Sequence, residues 1–295
     1  MKISRFYIVD VFAEEKYAGN QLAVVRDAAD LSDWQMQQIT KEMNYSETTF
    51  ILSEEPREGG YDARIFTPAI EVPFAGHPTL GTAYVIQKEI IRKPVETVIL
   101  NLKVGQIPVT FQKTGEGEDI LWMKQIEPVF GKVFDIDDIT YVLSIEKNDI
   151  DERYPIQEVS TGLPHIIVPL QSLKAVKRTK INKDKYFKFI ENINTKAILI
   201  FCSETSHQQN NLNVRVFCDY YGVPEDPATG SGNGCLAGYL VKNRYFATSK
   251  IDVRVEQGYE IGRPSLLYLR AEEINGKIVV FVGGKVGLVA KGELV

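Results

Sequence analysis

The sequence predicts an α+β fold built as two similar domains. Three observations carry that expectation: the length, the excess of strand-like runs over helical ones, and a glycine-rich motif that occurs once in each half. At 295 residues the chain exceeds the usual reach of a single hydrophobic core, so two medium domains are expected. Hydrophobic residues at 44% and charged residues at 25% describe a globular chain able to bury such cores. The motif reads EVPFAGHPTLG at Glu71 to Gly81 and EDPATGSGNG at Glu225 to Gly234. Each copy opens on a glutamate, has a proline two places on and a glycine three places after that, then runs into a helical stretch.

In the first half, RFYIVDVF and NQLAVV read as strands. LSDWQMQQITKEM reads as a helix, with Ser32 as N-cap and Trp34, Met36, Ile39 and Met43 as its apolar positions. ETTFIL and YDARIFTP are further strands, separated by the turn-rich SEEPREGG. After the first motif, LGTAYVIQK is an apolar helix and VETVILNLKVGQIPVTF is two strands meeting at a turn around Gly105. The second half repeats the plan: IQEVSTGLPHIIVPL is strand, glycine turn and strand, and NKDKYFKFIENI is a helix. AILIFCSE and LNVRVFC are strands, followed by the second motif and the helix CLAGYLVKN.

The offset that places Glu71 on Glu225 also places Pro73 on Pro227, Gly76 on Gly230 and Ala83 on Ala237. Gly105 and Gly258 fall within one residue of the same offset, each at a turn between strands, and AGNQLAVV echoes TGLPHIIV with Gly19 and Gly162 in register. The order of the matches is the same in both halves, as an internal duplication requires. The boundary is expected in TGEGED or in the connector IEPVFGKVFD. That gives a first domain of residues 1–118, joined by the tail 284–295, and a second of 119–283.

The formal charge of −5 is spread in small mixed groups, with no basic stripe for nucleic acid. MKISRFYIVDVF reads as a first strand rather than a leader, because Asp10 closes its apolar run. No apolar run of about 18 residues offers a membrane span. The three cysteines, Cys202, Cys218 and Cys235, are spaced like neither a zinc knuckle nor a redox pair, which suits buried thiols in a reducing cytoplasm. Three scattered histidines leave a metal site without support.

A glycine turn that opens a helix presents unpaired backbone N–H groups at the positive end of the helix dipole, a receptor for a carboxylate. Two such turns could grip one anionic ligand from both sides; alternatively the glycines only let helices pack close to strands. A rival reading is a dinucleotide fingerprint. GNGCLAG fits the looser glycine pattern, and Glu256 lies about 20 residues further on, where a ribose-binding acid would stand. Against it, Glu225 and Asp226 crowd the place of a pyrophosphate, and too little chain follows for the rest of a doubly wound sheet.

Taken in order, GNQLAVV, NYSETTFIL, FAGHPTLGTAYV, STGLPHIIVPL and EDPATGSGNGCLAGYL span nearly the whole chain. Together they resemble the PhzF-like isomerases of phenazine biosynthesis, within the diaminopimelate epimerase and proline racemase fold group. The resemblance implies two pseudo-symmetric domains, each a curved, mostly antiparallel sheet wrapped around a central helix, with a small carboxylate substrate bound between them. It further implies proton-transfer chemistry without cofactor or metal, a homodimer, and a C-terminal tail that returns to the first domain. Residue by residue, it places the acid/base glutamate at Glu47, with His77 and Asp226 as its catalytic companions. Gly76, Gly230, Ser231 and Asn20 are the substrate-binding positions, and His165, in the echoing TGLPH turn, is a further one unless it serves only a structural hydrogen bond. His207 reads as a solvated loop residue.

The chemistry of these residues agrees. A 1,3-proton shift needs one group that takes a proton from carbon and returns it to another carbon, and a carboxyl in an apolar setting can do both; Tyr45 and Phe50 flank Glu47. The racemases of the fold group carry a cysteine in each glycine turn, where this chain has Ala75 and Thr229. Neither can deprotonate a carbon acid, which sets amino-acid racemisation behind isomerisation. A catalytically idle binding protein of the same fold is the alternative from another class.

Overall fold

A computed structural model describes residues 4–115 and 119–295 of the chain. The expected division after residue 118 falls on residues outside those described. The two compact units are Met1–Lys124 with Gly283–Val295, and Gln125–Val282. The first contains β1 (Ser4–Val11), β2 (Asn20–Val25), α1 (Asp33–Met43), β3 (Thr48–Ile51), β4 (Tyr61–Phe66), β5 (Glu71–Val72), α2 (Gly76–Val85), β6 (Thr97–Leu102), β7 (Gly105–Gln112) and β8 (Ile120–Lys124). The second contains β9 (Val129–Val133), α3 (Ile136–Leu143), β10 (Gln157–Ser160), β11 (Pro164–Pro169), α4 (Leu173–Arg178), α5 (Lys183–Ile190), β12 (Ala197–Cys202), β13 (Leu212–Cys218), β14 (Val223–Asp226), α6 (Gly230–Lys242), β15 (Lys250–Gln257), β16 (Ser265–Ile274) and all of β17 (Lys277–Gly284) but its last two residues. The last strand, β18 (Val286–Leu294), pairs antiparallel with β1 and belongs to the first unit.

The first unit extends through β8 because that strand continues the β7 hairpin, with Val109 opposite Met123 and Gln112 opposite Ile120. The segment expected to be a connector, IEPVFGKVFD, instead supplies β9, which is hydrogen-bonded to β10.

The two units share one strand plan. In the first, β1 pairs antiparallel with β18 and β2, β2 runs parallel to β3, β3 antiparallel to β4, and β4 pairs with both β5 (antiparallel) and β6 (parallel), before β7 folds back on β6. In the second, β10 pairs antiparallel with β9 and β11, β11 runs parallel to β12, β12 antiparallel to β13, and β13 pairs with both β14 (antiparallel) and β15 (parallel), before β16 folds back on β15. The glycines matched by sequence share a backbone state: Gly19, Gly162, Gly105 and Gly258 all have positive φ, at 67°, 122°, 109° and 79°. At Gly258 a side chain would also collide with the Arg263 and Pro227 carbonyls, so that position is closed to other residues on two counts.

Each unit has a helix that is apolar almost all round and enclosed by its sheet. α2 touches β1, β2, β3, β6, β7, β8 and β18, and α6 touches β10, β11, β15 and β16. A helix buried on every side has no use for an amphipathic pattern, which is why the sequence marks α2 and α6 by apolar runs rather than by periodicity. α2 passes at Ile86–Ile91 into a wider π turn ended by Arg92 in the left-handed region. The outer helix α1 forms as predicted, with Ser32 and Gln35 closing a reciprocal capping box. Its core face is Met36 and Thr40, however, and Trp34 is 70% exposed, because two residues from Met36 lies more than half a turn around the helix. Met36 packs with Val25, Phe50 and Phe66. In the second unit α3, α4 and α5 cover a larger apolar cluster that includes Tyr186, Ile166 and Ile200.

Candidate active site

Both glycine turns are built by the same device. Glu71 ends up beside Arg64 because β5 pairs with β4, and Arg64 donates Nε to Oε1 at 2.8 Å and Nη2 to Oε2 at 2.7 Å. Glu225 lies beside Arg215 because β14 pairs with β13, and there the two distances are 2.9 and 2.8 Å. Each motif therefore opens on a glutamate that an arginine of the neighbouring strand grips through both oxygens, a planar two-point contact that fixes angle as well as distance. The sequence shows the glutamates as part of the motif but leaves their partners unassigned.

The helices that follow begin without side-chain help. Ala75 and Thr229 are the N-caps of α2 and α6, neither makes a capping hydrogen bond to its helix, and no acidic residue stands in either first turn. No N-cap side chain occupies the first-turn amides of α2 and α6. Ser231 lies in the same first turn of α6, and its backbone carbonyl accepts from Thr161 Oγ1 at 3.4 Å.

In the first unit, Glu47 and His77 come together. Glu47 immediately precedes β3 and His77 is the second residue of α2, and their Oε2 and Nε2 atoms are 3.5 Å apart. The His77 ring is buried and hydrogen-bonds the backbone of Gln21, the residue after Asn20 at the start of β2. Nε2 has no other hydrogen-bond partner among the described residues, so the bond to Gln21 is made by Nδ1. Burial pushes the imidazole down to about 3, against the opposing pull of the Gln21 bond. His77 is therefore neutral at physiological pH, and its Nδ1–H tautomer turns the Nε2 lone pair toward Glu47. Phe50, named from sequence as a neighbour of Glu47, stacks edge-on against Phe66 in the core at 5.4 Å.

In the second unit, Asp226 ends β14 and its Oδ2 accepts from Thr229 Oγ1 at 2.5 Å. His165, on β11, has no exposed surface. Its Nδ1 lies 3.0 Å from the Leu163 carbonyl and 3.8 Å from Cys235 Sγ, and a side chain at Gly232 would meet the ring at 3.1 Å. It backs the first turns of α6 from beneath. Burial holds it down at about 4.

Both imidazoles thus stay neutral in the folded chain and take up a proton at the ordinary value of about 6.5 once unfolded. The stability they contribute is complete above that pH and is lost as pH falls toward 4 and then 3. The melting temperature is expected to fall across this window, and His165→Gln, which has no proton to gain, should flatten part of the fall in calorimetry at stepped pH. At about 1.4 kcal/mol per unit, the His165 share is on the order of 3 kcal/mol.

Glu256, the residue a ribose-binding reading would need, is fully buried and committed elsewhere. Its oxygens accept from the Ser206 and His207 backbone amides, both at 2.8 Å, and from Asn210 and Asn213 side chains at 2.9 and 3.0 Å. It anchors a loop. The loop's own His207 is exposed, as expected. All three cysteines are free and buried. Among the described residues there is no cluster of potential metal ligands, and no helix is long and apolar enough to cross a membrane.

The family model for phenazine biosynthesis-like proteins matches residues 9–292. The chain is 32% identical to the trans-2,3-dihydro-3-hydroxyanthranilate isomerase of Pseudomonas aeruginosa, over 98% of each protein. Among solved structures, a Bacillus anthracis phenazine biosynthesis protein of the PhzF family superposes with a TM-score of 0.91 at 27% identity, covering all of both chains. A probable proline racemase from Agrobacterium radiobacter superposes at 0.65 with 9% identity, over 99% of this chain and 93% of that one, which shows the shared fold alone.

Proposed function

Because the chain belongs to the phenazine biosynthesis-like protein family and is an isomerase acting on a small molecule, we propose that it moves a proton between two carbons of a carboxylate-bearing substrate, with Glu47 as general acid and base and with no cofactor. The observation that carries this reading is the Glu47–His77 pair, 3.5 Å apart beside an uncapped helix N-terminus. Glu47 takes a proton from one substrate carbon and returns it to another. The neutral imidazole turns the Nε2 lone pair toward the carboxyl and can accept a hydrogen bond from it while the carboxyl carries the proton. Gly76, and Gly230 with Ser231, offer backbone amides and a hydroxyl to the substrate's anionic group, and Asp226 and Asn20 orient its polar substituents. His165 serves by holding α6 in place. Ala75 and Thr229 at the N-caps leave no thiol pair for racemisation.

The molecule named for the P. aeruginosa relative, a cyclic amino carboxylate, is the first substrate to try. Three buried free thiols favour a reducing cytoplasm. Val129 and Val133, exposed on β9 at 66% and 55%, provide apolar surface for a second copy in a homodimer. The direct test is turnover in D2O: the product should carry deuterium at the newly protonated carbon, read by mass spectrometry and NMR. Turnover that requires a divalent metal after exhaustive chelation would overturn the cofactor-free reading, as would ligand binding without any conversion across a broad set of cyclic carboxylates.

A further inference from the structure

Gln257 is the last residue of β15, held between β13 and β16 opposite Val214 and Ser265, and it is 1% exposed. Strand alternation sends the neighbouring Glu256 to the loop described above and Gln257 to the opposite face, toward the second glycine turn. Its amide makes every hydrogen bond it can. Nε2 donates to the Asp226 carbonyl at 2.8 Å and to Thr229 Oγ1 at 3.0 Å, and Oε1 accepts from the Thr229 amide at 3.2 Å and from Asn233 Nδ2 at 2.8 Å. Asn233 in turn donates to the Thr229 carbonyl at 3.0 Å.

These bonds have a polarity. An amide nitrogen can only donate, so Thr229 Oγ1 is an acceptor toward Gln257, and its one proton is left for Asp226 Oδ2, 2.5 Å away. The receiving Oδ2 is thereby an acceptor, a bond that favours the charged form of the carboxyl, and the Asp226 backbone carbonyl is pinned by the same Gln257 amide. Of the carboxylates next to this chain of bonds, Glu225 is bound by Arg215 and Glu256 by its four donors. At the first turn the N-cap is Ala75, which has no hydroxyl to relay a hydrogen bond.

We propose that Gln257, acting through Thr229, is the positioning residue that keeps Asp226 ionised and aimed for the substrate. The proposal rests on the assignment of Asp226 to the reaction, and it accounts for threonine at an N-cap that makes no capping bond.

The test uses the full chain with its aspartate carboxyl carbons labelled with 13C, the Asp226 signal being assigned by its loss in Asp226→Asn. Removing the hydroxyl in Thr229→Val should raise the midpoint of that signal's titration by about one pH unit, since a hydrogen bond to the charged form is lost, whereas Thr229→Ser should keep the wild-type midpoint. Gln257→Glu turns the Thr229 proton away from Asp226 and should shift the midpoint the same way, with no further shift when combined with Thr229→Val. If Gln257→Glu does not fold, the Thr229→Val and Thr229→Ser pair decides alone. In kinetics with trans-2,3-dihydro-3-hydroxyanthranilate as probe, Thr229→Val should lower kcat about 10-fold with KM within about threefold, and Thr229→Ser should restore it. An unmoved midpoint in Thr229→Val would sink the relay. If Asp226→Asn turned over normally while the midpoint moved, the relay would stand and the catalytic role of Asp226 would fall.

Discussion

Glu47→Gln should bind cleanly and barely turn over. The amide keeps the shape and the polar reach of the carboxyl beside His77 Nε2, but it neither accepts a proton from carbon nor returns one. General acid–base groups typically contribute about 10²- to 10⁴-fold, so kcat should fall by at least about 100-fold while KM changes little, because the lost interaction belongs to the transition state. His77→Ala should depress both binding and rate, since it opens a void at the start of α2 as well as removing the lone pair that faces Glu47. Steady-state kinetics beside ligand-induced thermal shifts separate the two variants. A Glu47→Gln enzyme running at the wild-type rate would falsify the acid/base assignment.

The largest stability effect is expected at Arg215. Arg215 and Glu225 are 9% and 10% exposed, and Arg215 Nη1 also donates to the Val176 and Thr179 carbonyls at 2.9 Å, while the guanidinium lies over the Phe217 ring. Arg215→Met would strand a buried carboxylate and two carbonyls, a loss on the order of 3–5 kcal/mol. Arg64→Met, at the matching place in the first unit, should cost about half as much or less. Glu71 keeps Lys103 at 2.6 Å, and the Arg64 side chain is more open to water. The double change Arg215→Met with Glu225→Gln should recover most of the loss, because no unpaired charge then remains buried. Urea unfolding of the three variants checks the order. Equal losses at the two arginines would show that burial does not set the difference.

Much of this was legible in the sequence, for reasons that differ between elements. The repeated strands and turns show because a half-buried strand alternates and a left-handed turn asks for glycine, both local requirements. Ser32 was readable as a cap for the same reason. α3, β9 and the true core face of α1 were not, since their apolar residues are sparse or clustered and only the neighbouring strands decide which side is buried. The site divides likewise. The proposed site residues Glu47, His77 and Asp226 come from the ordered motifs. By contrast, the partners that define their states, the Gln21 backbone, Thr229 and Gln257, lie on other strands or carry no chemical signature of their own. Gln257 could have been suspected only from its place directly before Gly258. Arg64 and Arg215 stood closer to view: a repeated glutamate implies a repeated partner, and each arginine lies on the strand just before its motif.

The paired glutamate–arginine clasps have an evolutionary consequence. Each turn takes its geometry from a grip located before the helix begins, and the N-cap side chain contributes no capping bond to the helix it opens. The side chain at the N-cap is therefore not needed to start the helix: alanine in one half and threonine in the other rest on the same scaffold. A lineage can change the residue at that position without rebuilding the frame that presents it.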